Sequence, residues 1–448
     1  KETVNDQPDA LNTSFSSIGS VDFEATRASR DVWSYYGELR IPITSPSWHF
    51  PGAYSLEFQV AERVEFYSDT NVSERPKFSV RYQPFDSSLT LRASYTEAFH
   101  APNLSDFARS AEEEFLREVD VFDPKTGETV PALRVLAGGQ PNLRPEVAYE
   151  FNYGAVWTPR FVRGLTLSAD FYHIDLRDRT NFISAGTIVD ENFVSGGRRF
   201  PGQVVRDPVT GQILFVRSLI QNISRTITEG IDYEAIYTLD TTIFGRGNFG
   251  IFTFTLNGNY LSRYVAAISV GDRERQFAGQ ETGFGGGDVF GYLPHNRFYA
   301  SAFYDLGGLD AGVTVHYIGQ GSDQETFTAK RQPRKIREWT TVDALVSYTF
   351  NLAAPVTTEN QIAGYAKDGG KNINLKDGKE KSLMPISTAE YNPCGWKTWL
   401  NGTTVTVGMN NIFDLDPPFV AGTFENGYDG STFDIKGRFW YVQLKKRF

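Results

Sequence analysis

The stretch EVAYEFNYGAVW, residues 146–157, indicates the fold class through its two-residue period. Its odd-numbered positions carry apolar or aromatic side chains, ending at Trp157, while its even-numbered positions include Glu146, Glu150 and Asn152. Successive side chains of a β-strand point to opposite faces, so the pattern predicts a strand with one apolar and one polar face. The alternation alone leaves open whether the apolar face meets a protein core or lipid.

The same alternation recurs along the chain and predicts about thirteen strands in all. Further clear examples are 56–61, 78–83, 89–96, 231–239, 252–260, 313–317 and 342–350. From Leu165 the parity holds through Phe171 and then slips at Ile174 and Leu176, which predicts a β-bulge there. No convincing amphipathic helix separates the strands, so a parallel βαβ architecture is disfavoured.

Short and long connections between these strands alternate almost throughout the chain. Tight turns follow Pro84, Thr158 and Tyr304. Long loops are expected at 99–143, 180–223, 269–292, 322–334 and 414–436. Short turns at one rim and long loops at the other are typical of up-and-down outer-membrane barrels. Residues 351–400 break this rule, and we interpret them as an insertion on the periplasmic, short-turn side.

Charge and composition exclude several classes of protein. The net charge of −10 argues against a nucleic-acid partner, because phosphate binding needs clustered Lys and Arg. No apolar run approaches the ~20 residues of a membrane-spanning helix, whereas a β-barrel needs no such run. The single cysteine, Cys394, cannot form a disulfide within the chain. Charges concentrate on the polar parity, and there we predict lumen-facing side chains at Arg92, Glu146, Glu150, Asp232, Glu234 and Asp343.

The last strand, GRFWYVQLKKRF, places Trp440, Val442, Leu444 and Phe448 on one parity. A closing strand that ends in an aromatic residue resembles the assembly signal of bacterial outer-membrane barrels. We therefore predict that these four residues form a C-terminal assembly signal.

Six segments in a fixed order resemble the barrel of TonB-dependent outer-membrane receptors. They are LRASYTEAFHAPNLSDF, PNLRPEVAYEFNYGAVW, GLTLSADFYHIDLRDR, TEGIDYEAIYT, VGMNNIFDLDPP and RFWYVQLKKRF. The segment YGELRIPI, residues 36–43, also resembles a mid-barrel strand of this family. The resemblance covers roughly residue 30 to the end of the chain and places the protein in the outer membrane as a multi-pass all-β barrel.

The resemblance implies a barrel of about 22 antiparallel strands around a plug domain on which TonB acts. We expect residues 26–448 to form the thirteen C-terminal strands and residues 1–25 to be an extracellular loop or N-terminal remnant. The plug and earlier strands are then expected to be missing, either carried on a separate chain or not included. A self-closed barrel of ~14–16 strands is the alternative.

The family implies uptake of a scarce ligand, such as a siderophore, cobalamin, a metal chelate or an oligosaccharide. Two other classes stay open: a passive or adhesive outer-membrane barrel without energy coupling, and a secreted all-β carbohydrate-binding protein. Outer-membrane lipid, TonB through the plug and an external ligand are the expected partners.

Motifs for enzyme chemistry are not evident in the sequence. The five histidines lack metal-ligand spacing, and neither GxSxG nor a P-loop occurs, so we expect no enzyme activity, metal or cofactor. The Gly-rich run at 283–292 is interpreted as an external loop. Loop residues are candidates for ligand contact, with simple loop packing as the alternative. These candidates are Phe99, His100, Phe107, Phe182, Phe284 and Tyr292.

Overall fold

A computed structural model describes most of the 448-residue chain. The described residues are 1–6, 26–70, 72–108, 114–140, 142–181, 183–245, 247–267, 274–281, 291–327, 333–352, 373–374, 380–381, 399–421 and 427–447. Most of the predicted insertion at 351–400, including Cys394, lies outside them.

The described residues form many strands and few helices. The strands are β1 (Glu2–Asp6), β2 (Thr26–Arg30), β3 (Val32–Thr44), β4 (Ser55–Tyr67), β5 (Ser73–Gln83), β6 (Leu89–His100), β7 (Glu114–Asp123), β8 (Glu128–Gly138), β9 (Glu146–Trp157), β10 (Leu165–Asn181), β11 (Val204–Arg206), β12 (Ile213–Leu219), β13 (Gln221–Asp240), β14 (Ile251–Ala267), β15 (Arg275–Gln276), β16 (Gln280–Glu281), β17 (Tyr292–Leu293), β18 (Asn296–Leu306), β19 (Leu309–Ile318), β20 (Gly321–Phe327), β21 (Pro333–Ile336), β22 (Trp339–Thr349), β23 (Ile373–Asn374), β24 (Glu380–Lys381), β25 (Thr403–Asn410) and β26 (Phe439–Lys446). The helices are α1 (Leu104–Ala108), α2 (Ala185–Val194) and a 3₁₀ turn at Thr241–Phe244. None of these helices is long and apolar enough to cross a membrane.

One large antiparallel sheet dominates the structure. It has 14 strands, of which β15 pairs only with β14 and lies off the main path. The other thirteen follow the order β3-β4-β5-β6-β9-β10-β13-β14-β18-β19-β22-β25-β26. Their order across the sheet is thus the same as their order along the chain. This up-and-down order confirms the predicted all-β, antiparallel class and the expected number of strands.

Aromatic pairs join neighbouring strands on the apolar face of the sheet. The rings of Tyr95 and Phe151 are 4.7 Å apart between centroids, and those of Tyr153 and Phe171 are 4.9 Å apart. Further along, Phe252 approaches Tyr304 to 4.7 Å. Cross-strand aromatic pairs add about 0.5–1.5 kcal/mol each beyond the area that they bury. They also fix the register, because a one-residue slip would move every ring to the other face.

The bulge predicted at Ile174 and Leu176 is wrong. The register between β10 and β13 is continuous from Leu165 to Leu176 and shifts only beyond that point, around Asp178, whose φ is 55°. The apolar parity ends earlier because the apolar face itself becomes charged towards this end of the strand. There Asp175 and Arg177 share the face of Phe171, as the two-residue period requires.

Two of the long connections fold together into a separate small sheet. The strands β7 and β8, from the β6–β9 connection, join β11 and β12, from the β10–β13 connection, in the order β11-β12-β8-β7. The pairing of β12 with β8 is parallel. Helix α2 covers one face of this loop sheet, and its Ile188 and Val189 are buried against Val121, Leu133 and other apolar side chains.

Two other long connections form a second small sheet. Its order is β17-β16-β20-β21, and it combines the β14–β18 and β19–β22 connections. Beside it lies a hydrophobic cluster of Tyr292, Ile336, Val420 and Phe433, the last two from the β25–β26 connection. The short connections 84–88, 158–164 and 307–308 lie between β5 and β6, β9 and β10, and β18 and β19, at the opposite ends of these strands.

Candidate functional site

An ion pair that spans three strands lies on the polar face of the main sheet. Arg92 of β6 donates from Nε to Oδ1 of Asp170 at 2.6 Å and from Nη2 to Oδ2 at 2.5 Å. Strand β9 runs between them, and its residue in register with both is Gly154. A Cβ at Gly154 would lie 2.2 Å from Oδ1 of Asp170. The bridge therefore requires glycine at this position, because any side chain would occupy its path.

The polar row continues onto the next two strands. Asp170 is in register with Asp232, so two carboxylates face each other across neighbouring strands. Asn259 donates from Nδ2 to Oδ1 of Asp232 at 2.8 Å and contacts the hydroxyl oxygen of Tyr172 at 2.9 Å. Opposed like charges on a sheet are destabilising, and donors on either side offset their repulsion.

Polar side chains are also paired near the C-terminal end of the sheet. Nε2 of His316 lies 3.1 Å from Oδ2 of Asp343, whose Oδ1 accepts the backbone N–H of Asn411 at 2.8 Å. Glu234 accepts from Nδ2 of Asn257 at 3.4 Å. Each of these acceptors thus has a donor on its own or a neighbouring segment.

The remaining two predicted lumen residues lie on β9. Glu146 accepts from the backbone N–H of Thr180 at 2.8 Å and from its hydroxyl at 2.7 Å. Glu150 accepts from Nδ2 of Asn152 at 2.6 Å. All six residues predicted to face the lumen share the polar parity of their strands, and each has its own local hydrogen-bond partner.

This polar face is concave. A cavity of about 980 Å³ extends from β10 to β26 and is lined by Asp232, Glu234 and Asp343. A cavity of about 500 Å³ includes Arg92 and Asp170. The cavities show that the sheet curves around its polar side.

A third cavity, of about 910 Å³, lies near the rim that carries the long connections. One wall of this cavity is formed around Arg30 of β2, which is only 3% exposed. The guanidinium donates from Nη2 to the carbonyl of Pro102 at 2.5 Å, and its Nε is 3.2 Å from Oε2 of Glu2. Arg30 therefore attaches the β1–β2 hairpin to the segment that follows β6.

Two ligand-contact candidates from the sequence line this rim cavity. Phe99 is half-buried, with its ring 6.1 Å from that of Tyr67 and 5.5 Å from the guanidinium carbon of Arg75. His100 is exposed beside it. Lys77 lies on the same wall and is also exposed. The cavity thus combines aromatic rings with side chains of both charges, because five carboxylates also line it: Glu2, Glu38, Glu62, Glu65 and Glu97.

The other four candidates are distributed differently. Phe107 is half-buried within α1, close to the rim cavity in sequence. Phe182 and Phe284 lie outside the described residues. Tyr292 is buried in the hydrophobic cluster, where its hydroxyl donates to the carbonyl of Gly319 at 2.6 Å. Burial raises the pKa of this hydroxyl. The Tyr292 side chain is therefore part of a packed core.

A buried ion pair stabilises the loop sheet. Asp123 is fully buried and accepts two hydrogen bonds from the guanidinium of Arg206, at 2.6 and 2.8 Å. These bonds hold the pKa of the Asp123 carboxyl below its usual range, against the opposing effect of burial. The pair joins β7 to β11 and so ties one long connection to another.

The closing strand β26 pairs with β25 along its whole length. Trp440, Val442 and Leu444 face Met409, Val407 and Val405 in register and are largely exposed on the apolar face. Phe448 lies outside the described residues. Among the described residues no group of His, Cys, Asp or Glu side chains is arranged to hold a metal ion.

Comparison with protein families decides what this curved sheet is. A model of the TonB dependent receptor-like β-barrel family matches residues 3–367. The chain belongs to the TonB-dependent receptor family. The TonB-dependent receptor barrel is an antiparallel β-barrel of the bacterial outer membrane.

Solved structures agree with this family at the level of fold. The siderophore receptor PirA from Acinetobacter baumannii is 13% identical over 95% of this chain, with a TM-score of 0.55. A mutant of the ferric enterobactin receptor PfeA from Pseudomonas aeruginosa is 12% identical over 94% of the chain, with a TM-score of 0.53. The outer membrane transporter YddB from Escherichia coli is 11% identical over 94%, with a TM-score of 0.52.

The TonB-dependent receptor barrel described here spans less than half the length of these proteins. It covers 46% of PirA and 45% of PfeA and of YddB. No curated protein sequence matches the chain.

Two structurally important residues were missed by sequence reasoning. Arg30 gave no signal because its partners, Glu2 and Pro102, come from distant segments. Gly154 occupies an even-numbered position, on the polar side of the pattern at 146–157. Its single available signal was a glycine inside a strand pattern, which indicates close approach of another group.

Proposed function

We propose that the chain forms part of the wall of a TonB-dependent outer-membrane transporter that takes up a scarce ligand into the cell. In this proposal the polar face lines the lumen and the long connections lie outside the cell. The short turns and the insertion at 351–400 lie on the periplasmic side. The barrel binds and conducts its ligand and performs no covalent chemistry.

The observation that supports this proposal is the concave polar face with its row of paired charges. Exposed aromatic side chains such as Trp440, Tyr153 and Phe151 cover the opposite face, and a soluble protein rarely exposes so large an apolar surface. Charges such as those of Arg92 and Asp170 are tolerated in a wet lumen and would be costly in lipid. The two faces therefore require two different media.

We propose that the ligand contacts the rim cavity through Phe99 and His100. The cavity volume of about 910 Å³ suits a ligand of several hundred daltons or a part of a larger one. Aromatic rings beside side chains of both charges favour a polar ligand with conjugated groups. Because PirA and PfeA are a siderophore and a ferric enterobactin receptor, an iron–siderophore complex is the first ligand to test. Cobalamin, other metal chelates and oligosaccharides are the further classes.

Energy coupling in this proposal passes from TonB to a plug domain within the barrel. The plug and the further strands that the family architecture requires then belong either to a separate chain or to a part of the same protein outside this sequence. A passive or adhesive barrel would share the fold and lack this coupling. The two differ in one measurable property, which is whether uptake of the ligand stops when TonB is removed.

The first experiment identifies the ligand and the partners. The native complex is purified in detergent from iron-limited cells, and bound small molecules and polypeptides are identified by mass spectrometry. Uptake of the radiolabelled ligand is then measured in cells with and without TonB. TonB-dependent uptake supports the transporter, whereas undiminished uptake without TonB identifies a passive barrel.

A pair of variants tests the rim cavity. F99A/H100A should weaken ligand binding by about tenfold, which corresponds to ~1.4 kcal/mol. The matched control is F161A, because Phe161 is an exposed phenylalanine in a short turn at the opposite rim. Equal affinities of the two variants would contradict the assignment of the rim cavity while leaving the transporter assignment intact.

A further inference from the structure

One wall of the rim cavity is the hairpin of β1 and β2, which pair in register along their whole length. Its residues Val4 and Arg30 line the cavity. A second wall is the segment 99–105, which carries the proposed ligand contacts Phe99 and His100. Arg30 lies on the first wall and contacts the second, so it can determine how the two walls are spaced.

The contact to the second wall is a hydrogen bond to the backbone. Nη2 of Arg30 donates to the carbonyl oxygen of Pro102 at 2.5 Å, two residues beyond His100. Pro102 is itself buried, and helix α1, which follows it, packs against β1 and β2. Because the acceptor belongs to the main chain, this bond fixes the course of the segment that carries His100.

Arg30 also reaches Phe99, through the ring of Tyr67. Its guanidinium carbon is 5.6 Å from the ring centre of Tyr67, which meets Phe99 edge-on at 6.1 Å between centroids. The guanidinium carbon of Arg75 is 5.5 Å from the ring centre of Phe99. Two cations and two rings thus form a continuous stack, in which each cation is attracted by the electron-rich face of a ring. The stack determines where the Phe99 ring lies.

The charge of Arg30 keeps this side chain in place. It is 3% exposed, and its Nε lies 3.2 Å from Oε2 of Glu2 and 3.5 Å from Oδ2 of Asp69. Both carboxylate oxygens of Asp69 are enclosed, and no hydrogen bond from the described residues reaches either of them. A buried charge is stable only beside a partner, so Arg30 cannot turn towards solvent without leaving Asp69 uncompensated. Its contacts are therefore formed before any ligand arrives.

We propose that Arg30 is a positioning residue for the ligand site, setting Phe99 through Tyr67 and His100 through the main chain at Pro102. The inference rests on the proposed ligand contacts in the rim cavity and adds to them a residue from a distant part of the sequence. It makes the hairpin a fixed wall of a preformed cavity. Preorganised contacts lose less conformational entropy on binding, so loss of Arg30 should weaken binding as loss of the contacts themselves does.

Three variants separate positioning from stability. R30Q removes the guanidinium and leaves Asp69 without its charge partner. R30Q/D69N also removes this carboxylate, which restores the balance of buried charge while the contacts to Pro102 and Tyr67 stay absent. The matched control is R27Q, because Arg27 belongs to the same strand, is exposed and is hydrogen-bonded within the hairpin.

The position of Phe99 is measured first, without any ligand. A para-fluorinated phenylalanine is placed at residue 99 of the full native protein in detergent, and its fluorine resonance is recorded. We expect the same narrow resonance in the unmodified protein and in R27Q. R30Q and R30Q/D69N should show a displaced or broadened resonance, because the ring has lost part of its stack. An identical resonance in every variant would overturn the proposal.

Binding is then measured with ferric enterobactin as the probe. R30Q and R30Q/D69N should each bind it about tenfold more weakly than the unmodified protein, which corresponds to ~1.4 kcal/mol, and R27Q should bind within about twofold. Adding R30Q/D69N to F99A/H100A should weaken binding by no more than about twofold further, because the contacts that Arg30 positions are already absent.

Two results of the binding measurement would also overturn the proposal. An affinity of R30Q/D69N equal to that of the unmodified protein would show that Arg30 at most balances the charge of Asp69. A further loss of about tenfold on top of F99A/H100A would show that Arg30 acts independently of these two residues. If ferric enterobactin does not bind to the unmodified protein, the proposed ligand fails, while the fluorine resonance still decides the role of Arg30.

Discussion

Replacing Gly154 by alanine tests whether the bridge across β9 forms as described. The new Cβ would lie 2.2 Å from Oδ1 of Asp170 and 2.5 Å from the backbone carbonyl oxygen of Ala169. The Asp170 side chain can rotate away from the new Cβ. The Ala169 carbonyl is part of the sheet backbone, so it can move only if the sheet is distorted. Overpacking of this kind costs about 1–3 kcal/mol.

Two smaller effects accompany this steric cost. Arg92 and Asp170 have side-chain exposures of 51% and 25%, so their pair contributes no more than about 1 kcal/mol after solvent screening. Alanine restricts the unfolded chain more than glycine does, and this effect raises the free energy of unfolding by about 0.5–1 kcal/mol. We therefore expect G154A to lower the free energy of unfolding by about 1–3 kcal/mol.

The matched control is G37A on β3. Gly37 is also a strand glycine, but a Cβ at this position would have no atom within 4 Å. Because the new Cβ of G37A meets no neighbouring atom, the substitution should leave the free energy of unfolding unchanged or raise it by about 0.5 kcal/mol. Both variants are unfolded by guanidinium in lipid vesicles and followed by tryptophan fluorescence.

A double-mutant cycle separates the ion pair from the packing. R92Q and D170N should show a coupling energy of about 0.5–1 kcal/mol when residue 154 is glycine and almost none in the G154A background. Equal stabilities of G154A and G37A, with the coupling intact in both backgrounds, would refute the bridge.

Further predictions concern the loops. D123N should destabilise the loop sheet by about 3–5 kcal/mol, because the guanidinium of Arg206 would remain largely buried without its charge partner, and faster amide exchange in β7 and β11 would report the loss. The lowered pKa of Asp123 also predicts a pH dependence of the stability of the loop sheet. The ion pair contributes fully above the pKa of Asp123 in the unfolded chain, about 4, and its contribution disappears as the pH falls through the lower pKa of the folded state. Protease sensitivity of the loop sheet should therefore rise in acid only when Asp123 is present. Y292F removes the hydrogen bond to Gly319 and should lower local stability by about 1 kcal/mol, measured by amide exchange; an unchanged rate would contradict the bond.

Much of the main sheet was predictable from the sequence because its signal is local. In β9 the two-residue period separates Glu150 and Asn152 from Phe151 and Tyr153, and each strand needs only its own residues to show this. The slip at Ile174 was misread because the same parity change arises when an apolar face gives way to a charged one.

The loops were less predictable because their structure depends on distant pairings. Strand β12 pairs in parallel with β8, which brings Val216 beside Val135. No periodicity within either segment indicates that partner. Tyr292 is similar: as a loop aromatic it was a candidate for ligand contact, but packing against Phe433 and other residues from three connections buries it.

The proposed function requires that neighbouring residues of one strand face lipid and water in turn. Leu256 and Asn257 of β14 test it most directly, since they adjoin in the middle of the strand and belong to opposite faces. Spin labels are placed at L256C and N257C in a protein whose Cys394 is replaced by serine. Relaxation by lipid-soluble oxygen should dominate at position 256, and relaxation by a water-soluble nickel chelate at position 257. Equal access of the nickel chelate to both labels, or the reverse preference, would contradict the membrane-barrel account.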